Sequence, residues 1–341
     1  MQLPARIGKY ELEEFLGGSM SNVYRARDMV LGRSVVLKIL TAAGCADPEA
    51  KARFLQEARL ASNIVHENII SVYDFGEEQG QPFIVMEYLR GDNLRDLIRQ
   101  GRTGDYRKKL DIALQIARAL GCIHSHRIIH RDIKPENVYV DAGAGKIKLM
   151  DFGIAKSEGV QLTRVGFTLG TPYYMAPEQV TGERITHLVD VYAFGILLFE
   201  LMTGAKPVTG DSIDQIFGRI LHEPVREEPL RAAGVPQHVI ELITRCTEKL
   251  PAARIQSFTE ICALLEEMVA VPAAAPGRWT VQAPAALVGA VHSAPQAGTM
   301  PGPLAKLPAR FQTQNWIVVL VAITVLLVMS ASYLIARALI R

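Results

Sequence analysis

The sequence predicts an α+β protein in which a strand-rich region precedes a larger helical region and one transmembrane helix. Short apolar runs with strand character fill the first part of the chain, at residues 7–16, 35–40, 68–75 and 82–89. From Leu94 onward, apolar residues recur at steps of three or four, which is the spacing of a buried helix face. Near the C-terminus, the twenty-one residues from Trp316 to Ala336 carry no charge, so they are long enough to span a bilayer.

Length, charge and cysteine content limit the classes of protein to which the chain can belong. The chain has 341 residues and a formal net charge of +2. This length accommodates one domain of about 250 to 270 residues plus a smaller segment, and the near-neutral charge gives no indication of a nucleic-acid partner. The four cysteines have no paired spacing, which predicts reduced thiols and neither a disulfide framework nor a zinc site. No apolar signal-peptide core follows Met1, so we expect this end to stay in the cytosol.

The strand-rich region contains two features that suggest chemistry. Gly17 and Gly18 stand between two predicted strands, where backbone amides can approach phosphate oxygens without an intervening side chain. The strand at 35–40 is apolar except for Lys38, and a lysine in such a run is costly unless its charge is paired. The alternative is an edge strand from which Lys38 faces water.

The remaining elements are predicted from the spacing of apolar residues and from residues that favour turns. Residues 52–64 have helical apolar spacing, and Gly91-Asp92 is predicted to form a turn after the fourth strand. Buried helical stripes are predicted at 110–120, 196–202, 239–246 and 258–268. Three histidines follow the first of these stripes: His124, His126 and His130. They indicate either a metal site or, as we favour, a helix end that enters a loop.

Two polar clusters flank a predicted strand pair in the middle of the chain. The strands are Val138–Val140 and Lys146–Met150, joined by a turn rich in Gly and Ala. A reaction at phosphate needs a carboxylate to receive a hydroxyl proton and oxygen ligands to hold magnesium. Asp132 can supply the carboxylate, and Asn137 with Asp151 can supply the oxygen ligands. Lys134 is close enough to Asp132 in sequence to place positive charge on a phosphoryl group.

These clusters read His-Arg-Asp-Ile-Lys-Pro-Glu-Asn at 130–137 and Asp-Phe-Gly at 151–153. In residues and spacing they resemble the catalytic and magnesium loops of the protein kinase superfamily, and the position of Lys134 favours its serine/threonine branch. The resemblance covers about residues 7 to 269. It implies a two-lobed protein kinase fold, with a small β-rich N-lobe and a large helical C-lobe. The predicted domains are a lead-in at 1–9 and a kinase domain at 10–269, divided into an N-lobe (about 10–88) and a C-lobe (about 89–269).

The resemblance implies ATP and Mg²⁺ (or Mn²⁺) as cofactors and assigns catalytic roles. Asp132 would take up the hydroxyl proton, and Lys134 would stabilise charge on the transferring group. Asn137 and Asp151 would bind the metal. Lys38 would orient the phosphates and be held by the helix residue Glu57; taken alone, Glu57 could equally lie on a solvated face.

The resemblance also implies an ATP site formed by a glycine loop and a hinge. The loop candidates are Leu16, Gly17, Gly18, Ser19, Met20, Ser21, Asn22 and Val23. The family usually has three glycines here, whereas Ser21 occupies the third position and the loop is one residue short between the first two. By position, Met86 is the gatekeeper residue and Glu87, Tyr88 and Leu89 form the hinge.

The segment after residues 151–153 resembles a kinase activation segment that ends at Ala176-Pro177-Glu178. Arg131 is typical of kinases that are switched by phosphate on this segment. Thr163 and Thr168 are the predicted phosphosites, and Thr171 would position substrate; the alternative is that these hydroxyls are only solvated. Two structural supports are implied as well: Asp190 would brace the catalytic loop, and Glu178 would pair with Arg254.

The C-terminal region has a different composition. Residues 270–314 are rich in Pro, Ala and Gly and predict an extended linker. Residues 315–336 predict the transmembrane helix, with Trp316 and Tyr333 as interface anchors, although a buried helix of a soluble domain is the alternative. Flanking charges do not decide the orientation. Because a kinase domain needs cytosolic ATP, we expect a single-pass cell-membrane protein with a cytoplasmic kinase domain and residues 337–341 outside.

The sequence thus predicts a membrane-tethered serine/threonine protein kinase that acts on protein substrates and is regulated by activation-loop autophosphorylation. Its plan is similar to the eukaryotic-like kinases of bacteria. Ser332 and Ala336, two small residues four apart, are compatible with a homodimer through the membrane helix. A pseudokinase that serves as a membrane-tethered binding module is the alternative, supported by the short glycine loop. Small-molecule phosphotransfer on the same fold is disfavoured, because residues 171–178 resemble the kinase segment that receives peptide.

Overall fold

The computed structural model describes residues 6–18, 20–141, 145–151 and 172–270. The predicted linker beyond Ala270, the predicted transmembrane helix at 315–336 and the tail at 337–341 lie outside these residues. Within the described ranges, no helix combines the length and the apolarity needed to cross a bilayer.

A six-stranded sheet forms the first lobe. Its strands are β1 (Arg6–Ile7), β2 (Tyr10–Gly18), β3 (Ser21–Asp28), β4 (Arg33–Leu40), β5 (Val72–Glu78) and β6 (Gln81–Glu87). They pair antiparallel in the order β1-β2-β3-β4-β6-β5. Side chains of β4 alternate between the two faces of the sheet, so Val35, Leu37 and Ile39 pack into one apolar layer. Arg6–Ile7, within the predicted lead-in at 1–9, pairs with β2 as the edge strand of this sheet.

Two helices follow β4 and cover the other face of the sheet. They are α1 (Ala42–Ala46) and α2 (Pro48–Ser62). The carboxylate of Asp47 caps α2 by accepting hydrogen bonds from the amides of Glu49 and Ala50, with a proline at the first helical position. This cap starts α2 earlier than the predicted start at residue 52. Phe54 and Ala58 then pack on the sheet.

A small second sheet lies at the junction with the helical lobe. It contains β7 (Gly91–Asn93), β8 (Val138–Asp141) and β9 (Ile147–Leu149), in that order. The β8–β9 hairpin agrees with the predicted strand pair. The predicted turn at Gly91-Asp92 is wrong, because these residues pair with β8 and the Tyr139 hydroxyl donates to Gly91 O at 2.5 Å. The third predicted strand also starts late, at Val72 instead of residue 68.

The second lobe is helical. Its helices are α3 (Leu94–Arg99), α4 (Tyr106–Ser125), α5 (Pro177–Thr181), α6 (Leu188–Thr203), α7 (Ile213–His222), α8 (Glu228–Ala232), α9 (Gln237–Cys246) and α10 (Phe258–Ala270). Helix α6 is buried on every side and lies in the centre of the core, where Phe194 and Phe199 are fully buried. It ends at Gly204, whose φ of 76° is the left-handed conformation that a helix C-terminus favours.

Candidate active site

A buried ion pair joins the sheet to α2. Lys38 Nζ on β4 lies 2.7 Å from Glu57 Oε1 on α2, and both side chains are more than four-fifths buried. The same ammonium lies 3.1 Å from Asp151 Oδ1, just beyond β9. Burial by itself lowers the pKa of Lys38, but the two carboxylates outweigh it and raise that pKa above the ordinary value. The Lys38 ammonium in turn lowers the pKa of Asp151. Lys38 is therefore charged at neutral pH.

The loop after α4 brings together two of the predicted catalytic residues, Asp132 and Lys134, and the predicted metal ligand Asn137. Lys134 Nζ donates to Asp132 Oδ2 at 2.7 Å. A 3-10 helix at Pro135–Asn137 turns the chain back, so Asn137 Nδ2 donates to the main-chain oxygen of Asp132 at 2.8 Å and to Oδ2 at 3.1 Å. These contacts fix the position of the Asp132 carboxylate, whose side chain is only 13% exposed. Its charge is balanced by Lys134.

Asn137 and Asp151 form an oxygen donor set that fits magnesium. The amide nitrogen of Asn137 is committed to Asp132, which makes its amide oxygen the atom available to a metal ion. Met150 N donates to Asn137 O at 2.8 Å, so Asp151 follows directly after a residue bonded to Asn137. Carboxylate and amide oxygens are the ligands that Mg²⁺ and Mn²⁺ accept. The donor atoms of these two residues thus have the chemistry that such an ion requires.

Asp190 braces the backbone of the catalytic loop. Its carboxylate is fully buried at the start of α6 and accepts hydrogen bonds from the amides of His130 and Arg131, both at 2.8 Å. Arg131 has a φ of 66°, which is strained for a residue other than glycine, and the two bonds hold it there. His124 Nε2 also lies 2.8 Å from this carboxylate.

The histidines at and beyond the end of α4 contact different groups. Within the described ranges, no group of three or more His, Cys, Asp or Glu side chains is arranged to hold an ion. His124 contacts Asp190, whereas His130 is buried in the loop with Nε2 3.2 Å from Met150 O. Burial lowers the pKa of His130, so its imidazole is neutral. The prediction of a helix end that enters the catalytic loop agrees with this geometry.

The glycine loop is a tight hairpin between β2 and β3. Gly17 pairs with Val23 and Gly18 with Asn22, and a Cβ at Gly18 would lie 2.2 Å from Ser21 O. Gly18 also has a φ of 154°, so no other residue fits there without displacing the loop. Of the other candidates, Leu16 and Met20 expose about half of their surface, and Ser19 lies outside the described residues.

Thr41 supports this hairpin and was missed in the sequence. Its amide and hydroxyl both donate to Met20 O, at 3.1 Å and 2.9 Å, while its hydroxyl accepts from Gly44 N at the start of α1. The hairpin is therefore tied to α1. The only local signal was a threonine at a helix N-cap position, and that signal did not reveal the contact with Met20.

The predicted hinge leaves the sheet at the end of β6. Met86 is half-buried on β6, where it pairs with Val36 of β4 on one side and Val72 of β5 on the other, and Tyr88 and Leu89 follow the last strand residue. The Glu87 carboxylate accepts from Ser71 N at 2.7 Å and pairs with Lys148 at 2.8 Å. The side chain of Glu87 therefore joins the two sheets.

Two buried polar pairs support the end of the predicted activation segment. Arg254 forms a two-pronged ion pair with Glu178, at 2.6 Å and 2.7 Å. The Tyr174 hydroxyl donates to Glu200 in α6, and burial raises the pKa of both groups. Glu200 was missed, although a glutamate inside an otherwise apolar helix was a usable signal. Thr163, Thr168 and Thr171 lie outside the described residues, as do Phe152 and Gly153.

The sheet lobe, the helical lobe and the Lys38–Asp132–Asp151 arrangement between them define a protein kinase domain. The chain belongs to the protein kinase family: the family's sequence model, described as protein kinase domain, matches residues 10–265. The described residues have the two-lobed kinase fold, with a curled β-sheet N-lobe and a helical C-lobe.

Relatives in bacteria are named serine/threonine-protein kinases. The chain is 39% identical over 252 residues to the serine/threonine-protein kinase PrkC of Bacillus subtilis, covering 73% of this chain and 39% of that protein. It is 40% identical over 260 residues to the serine/threonine-protein kinase pkn3 of Myxococcus xanthus, covering 72% and 47%. The chain thus spans less than half the length of these relatives.

The fold is similar to that of a solved kinase structure. The crystal structure of Rad53 1-466 in complex with AMP-PNP matches with a TM-score of 0.64 and 24% identity, covering 77% of this chain and 66% of that one. At this identity the likeness concerns the fold.

Proposed function

We propose that this protein is a serine/threonine protein kinase that transfers the γ-phosphoryl group of ATP to hydroxyls of protein substrates. The observation that carries the proposal is the contact between Asp132 and Lys134 at 2.7 Å, with Asn137 on the same carboxylate oxygen. A carboxylate held in this way can take up a hydroxyl proton, and the adjacent ammonium can stabilise charge on a transferring phosphoryl group. The names of the bacterial relatives support the same activity.

The chain contains residues that are suited to bind ATP and its metal ion. Asn137 and Asp151 would hold Mg²⁺ or Mn²⁺, and Lys38, fixed by Glu57, would bind phosphate oxygens. Bound Mg-ATP supplies the phosphoryl group and a partial neutralisation of its charge. The chain's own residues orient that group and accept the proton of the acceptor hydroxyl at Asp132.

We also propose that residues 315–336 tether the kinase to the cell membrane, with the kinase domain in the cytoplasm. The twenty-one uncharged residues from Trp316 to Ala336 support this. In the same proposal, the kinase phosphorylates its own Thr163 or Thr168, and two copies of the chain associate through residues 315–336. Cell fractionation tests the tether: the full chain should sediment with membranes, and a chain ending at residue 314 should not. Equal partitioning of the two would refute it.

Phosphotransfer by the full-length protein tests the activity. Incubation with radiolabelled ATP, Mg²⁺ and a generic basic protein, followed by phosphoamino-acid analysis, should give phosphoserine or phosphothreonine and no phosphotyrosine. A protein that binds nucleotide without any transfer, even when membranes are present, would instead favour the pseudokinase. The tight hairpin at Gly18 is the observation that favours that second candidate.

A further inference from the structure

A cleft lies in the helical lobe, apart from the predicted catalytic and metal-binding residues. Its volume is about 540 Å³, and it is bounded by the end of α4, the start of α6 and the start of α10. Ile128, Ile129, Ile185 and Phe258 give it an apolar lining. A cleft of this size and character matches the sites that proteins use for small organic ligands.

The polar lining of this cleft is basic. Arg127 and Arg184 both line it and are exposed. Neither guanidinium has an ion pair or a side-chain hydrogen bond within the described part of the chain. The other polar lining residues are histidines and hydroxyl-bearing side chains, and none of the lining residues carries a carboxylate. Two unpaired guanidinium groups beside hydroxyls are suited to a phosphate group.

Helix termini add to the positive potential. Helices α6 and α10 both begin at the cleft, and the N-terminal end of a helix favours anions. The acidic residues in their first turns point elsewhere: Asp190 binds the catalytic loop, and Glu260 pairs with Arg245 at 2.5 Å.

Helix α4 ends at the same cleft, with the opposite polarity. Its last carbonyls are already used, because Cys122 O accepts from the Ser125 hydroxyl at 2.7 Å and His124 O accepts from Arg127 N at 2.9 Å. The negative end of α4 is thus partly neutralised locally. The two arginines and the two helix N-termini therefore outweigh it, and the electrostatic potential in the cleft favours a negatively charged ligand.

We propose that this cleft binds an organic phosphate monoester with an apolar or aromatic body. The phosphate would contact Arg127 and Arg184, and the body would lie on Ile128, Ile129 and Ile185. The cleft also reaches the catalytic loop through His124. This histidine lines the cleft and contacts Asp190, which in turn holds the loop backbone. Occupancy of the cleft therefore stabilises the catalytic loop.

Titration of the full-length protein with phenyl phosphate, followed by ligand-observed NMR, tests the site. Wild type should bind saturably, and more tightly than it binds inorganic phosphate or phenol. Because the Arg127→Ala/Arg184→Ala variant removes both charged donors to the phosphate, it should bind phenyl phosphate at least about tenfold more weakly. Arg226→Ala, an exposed arginine that does not line the cleft, should leave the affinity unchanged.

A second variant and a second readout make the test sharper. Thr259→Trp keeps both arginines but fills the cleft, so it should also abolish binding. Hydrogen exchange at the amides of His130 and Arg131 should slow when phenyl phosphate binds. Absence of saturation at millimolar phenyl phosphate, or equal affinity in wild type and both variants, would overturn the site. Unchanged exchange would overturn the link to the catalytic loop. Neither measurement requires phosphotransfer, so a failure of the proposed kinase activity would be a separate result.

Discussion

Removing the arginine of the buried Glu178–Arg254 pair should cost a large part of the protein's stability. The Arg254 side chain is 0% exposed and that of Glu178 is 3% exposed. Besides the two-pronged ion pair, the guanidinium donates to main-chain oxygens of Leu188, Lys249 and Glu248, at 2.9, 3.1 and 2.8 Å. These bonds join the end of the predicted activation segment to α6 and to the loop before α10.

Arg254→Met removes every one of these donors but keeps most of the side-chain volume. The carboxylate of Glu178 would then be buried without its cation, and loss of one partner of a buried pair costs about 3 to 5 kcal/mol. Since domains of this kind are stable by about 5 to 15 kcal/mol, the loss is a large fraction of the total. The exposed pair between Arg231 and Glu227, at 2.6 Å, is the matched control. Arg231→Met should cost at most about 0.5 kcal/mol.

Urea unfolding followed by far-ultraviolet circular dichroism measures both losses. The urea midpoint should be clearly lower for Arg254→Met and nearly unchanged for Arg231→Met. A loss below about 1 kcal/mol for Arg254→Met would refute the large contribution of the buried pair, because the pair would then be no stronger than an exposed one.

Further predictions concern the glycine hairpin and two buried ionisable groups. Gly18→Ala should raise the KM for ATP about tenfold, because its Cβ would lie 2.2 Å from Ser21 O; Gly218→Ala, where a Cβ meets nothing within 4 Å, should not change it. Steady-state rates at varied ATP concentration give the KM of both variants, and an unchanged KM for Gly18→Ala would contradict the prediction. Burial lowers the pKa of His130, so the folded state loses stability as the pH falls below the ordinary histidine value of about 6.5. The unfolding free energy of His130→Phe should depend less on pH there than that of wild type, and equal slopes would contradict this. The raised pKa of Lys38 means that its stabilisation is complete below about pH 10.4 and is lost only above it. The difference in unfolding free energy between wild type and Lys38→Met should therefore stay constant from about pH 7 to 9.5, and a decline within that range would count against the buried ion pair.

Much of the site could be predicted because its residues are close in sequence or occur in a fixed order. Asp132, Lys134 and Asn137 lie within six positions, so a single loop brings them together. The resemblance to kinases paired Lys38 with Glu57, and the charge in an otherwise apolar strand was an independent reason to expect a partner for Lys38. Their 2.7 Å contact shows that the cost of burying a charge predicts the need for a partner.

The contacts that were missed depend on tertiary packing. Thr41 reaches Met20 only because α1 folds back on the hairpin, and Tyr174 reaches Glu200 only because α6 lies in the centre of the core. The mistaken turn at Gly91-Asp92 has the same origin. Glycine and aspartate favour a turn locally, but β8 supplies hydrogen-bond partners that make these residues a strand. Local propensity could not reveal a partner strand almost fifty residues away.

The initial rate of phosphotransfer by wild type and by Asp132→Asn tests the central claim most directly. The substitution keeps the shape of the side chain but removes the carboxylate that Lys134 and Asn137 hold in place. At saturating ATP and Mg²⁺, with equal nucleotide affinity and equal folding verified for both proteins, the rate should fall about 10²- to 10⁴-fold. Equal rates in the two proteins would contradict the account, because the proton would then leave the acceptor hydroxyl without Asp132.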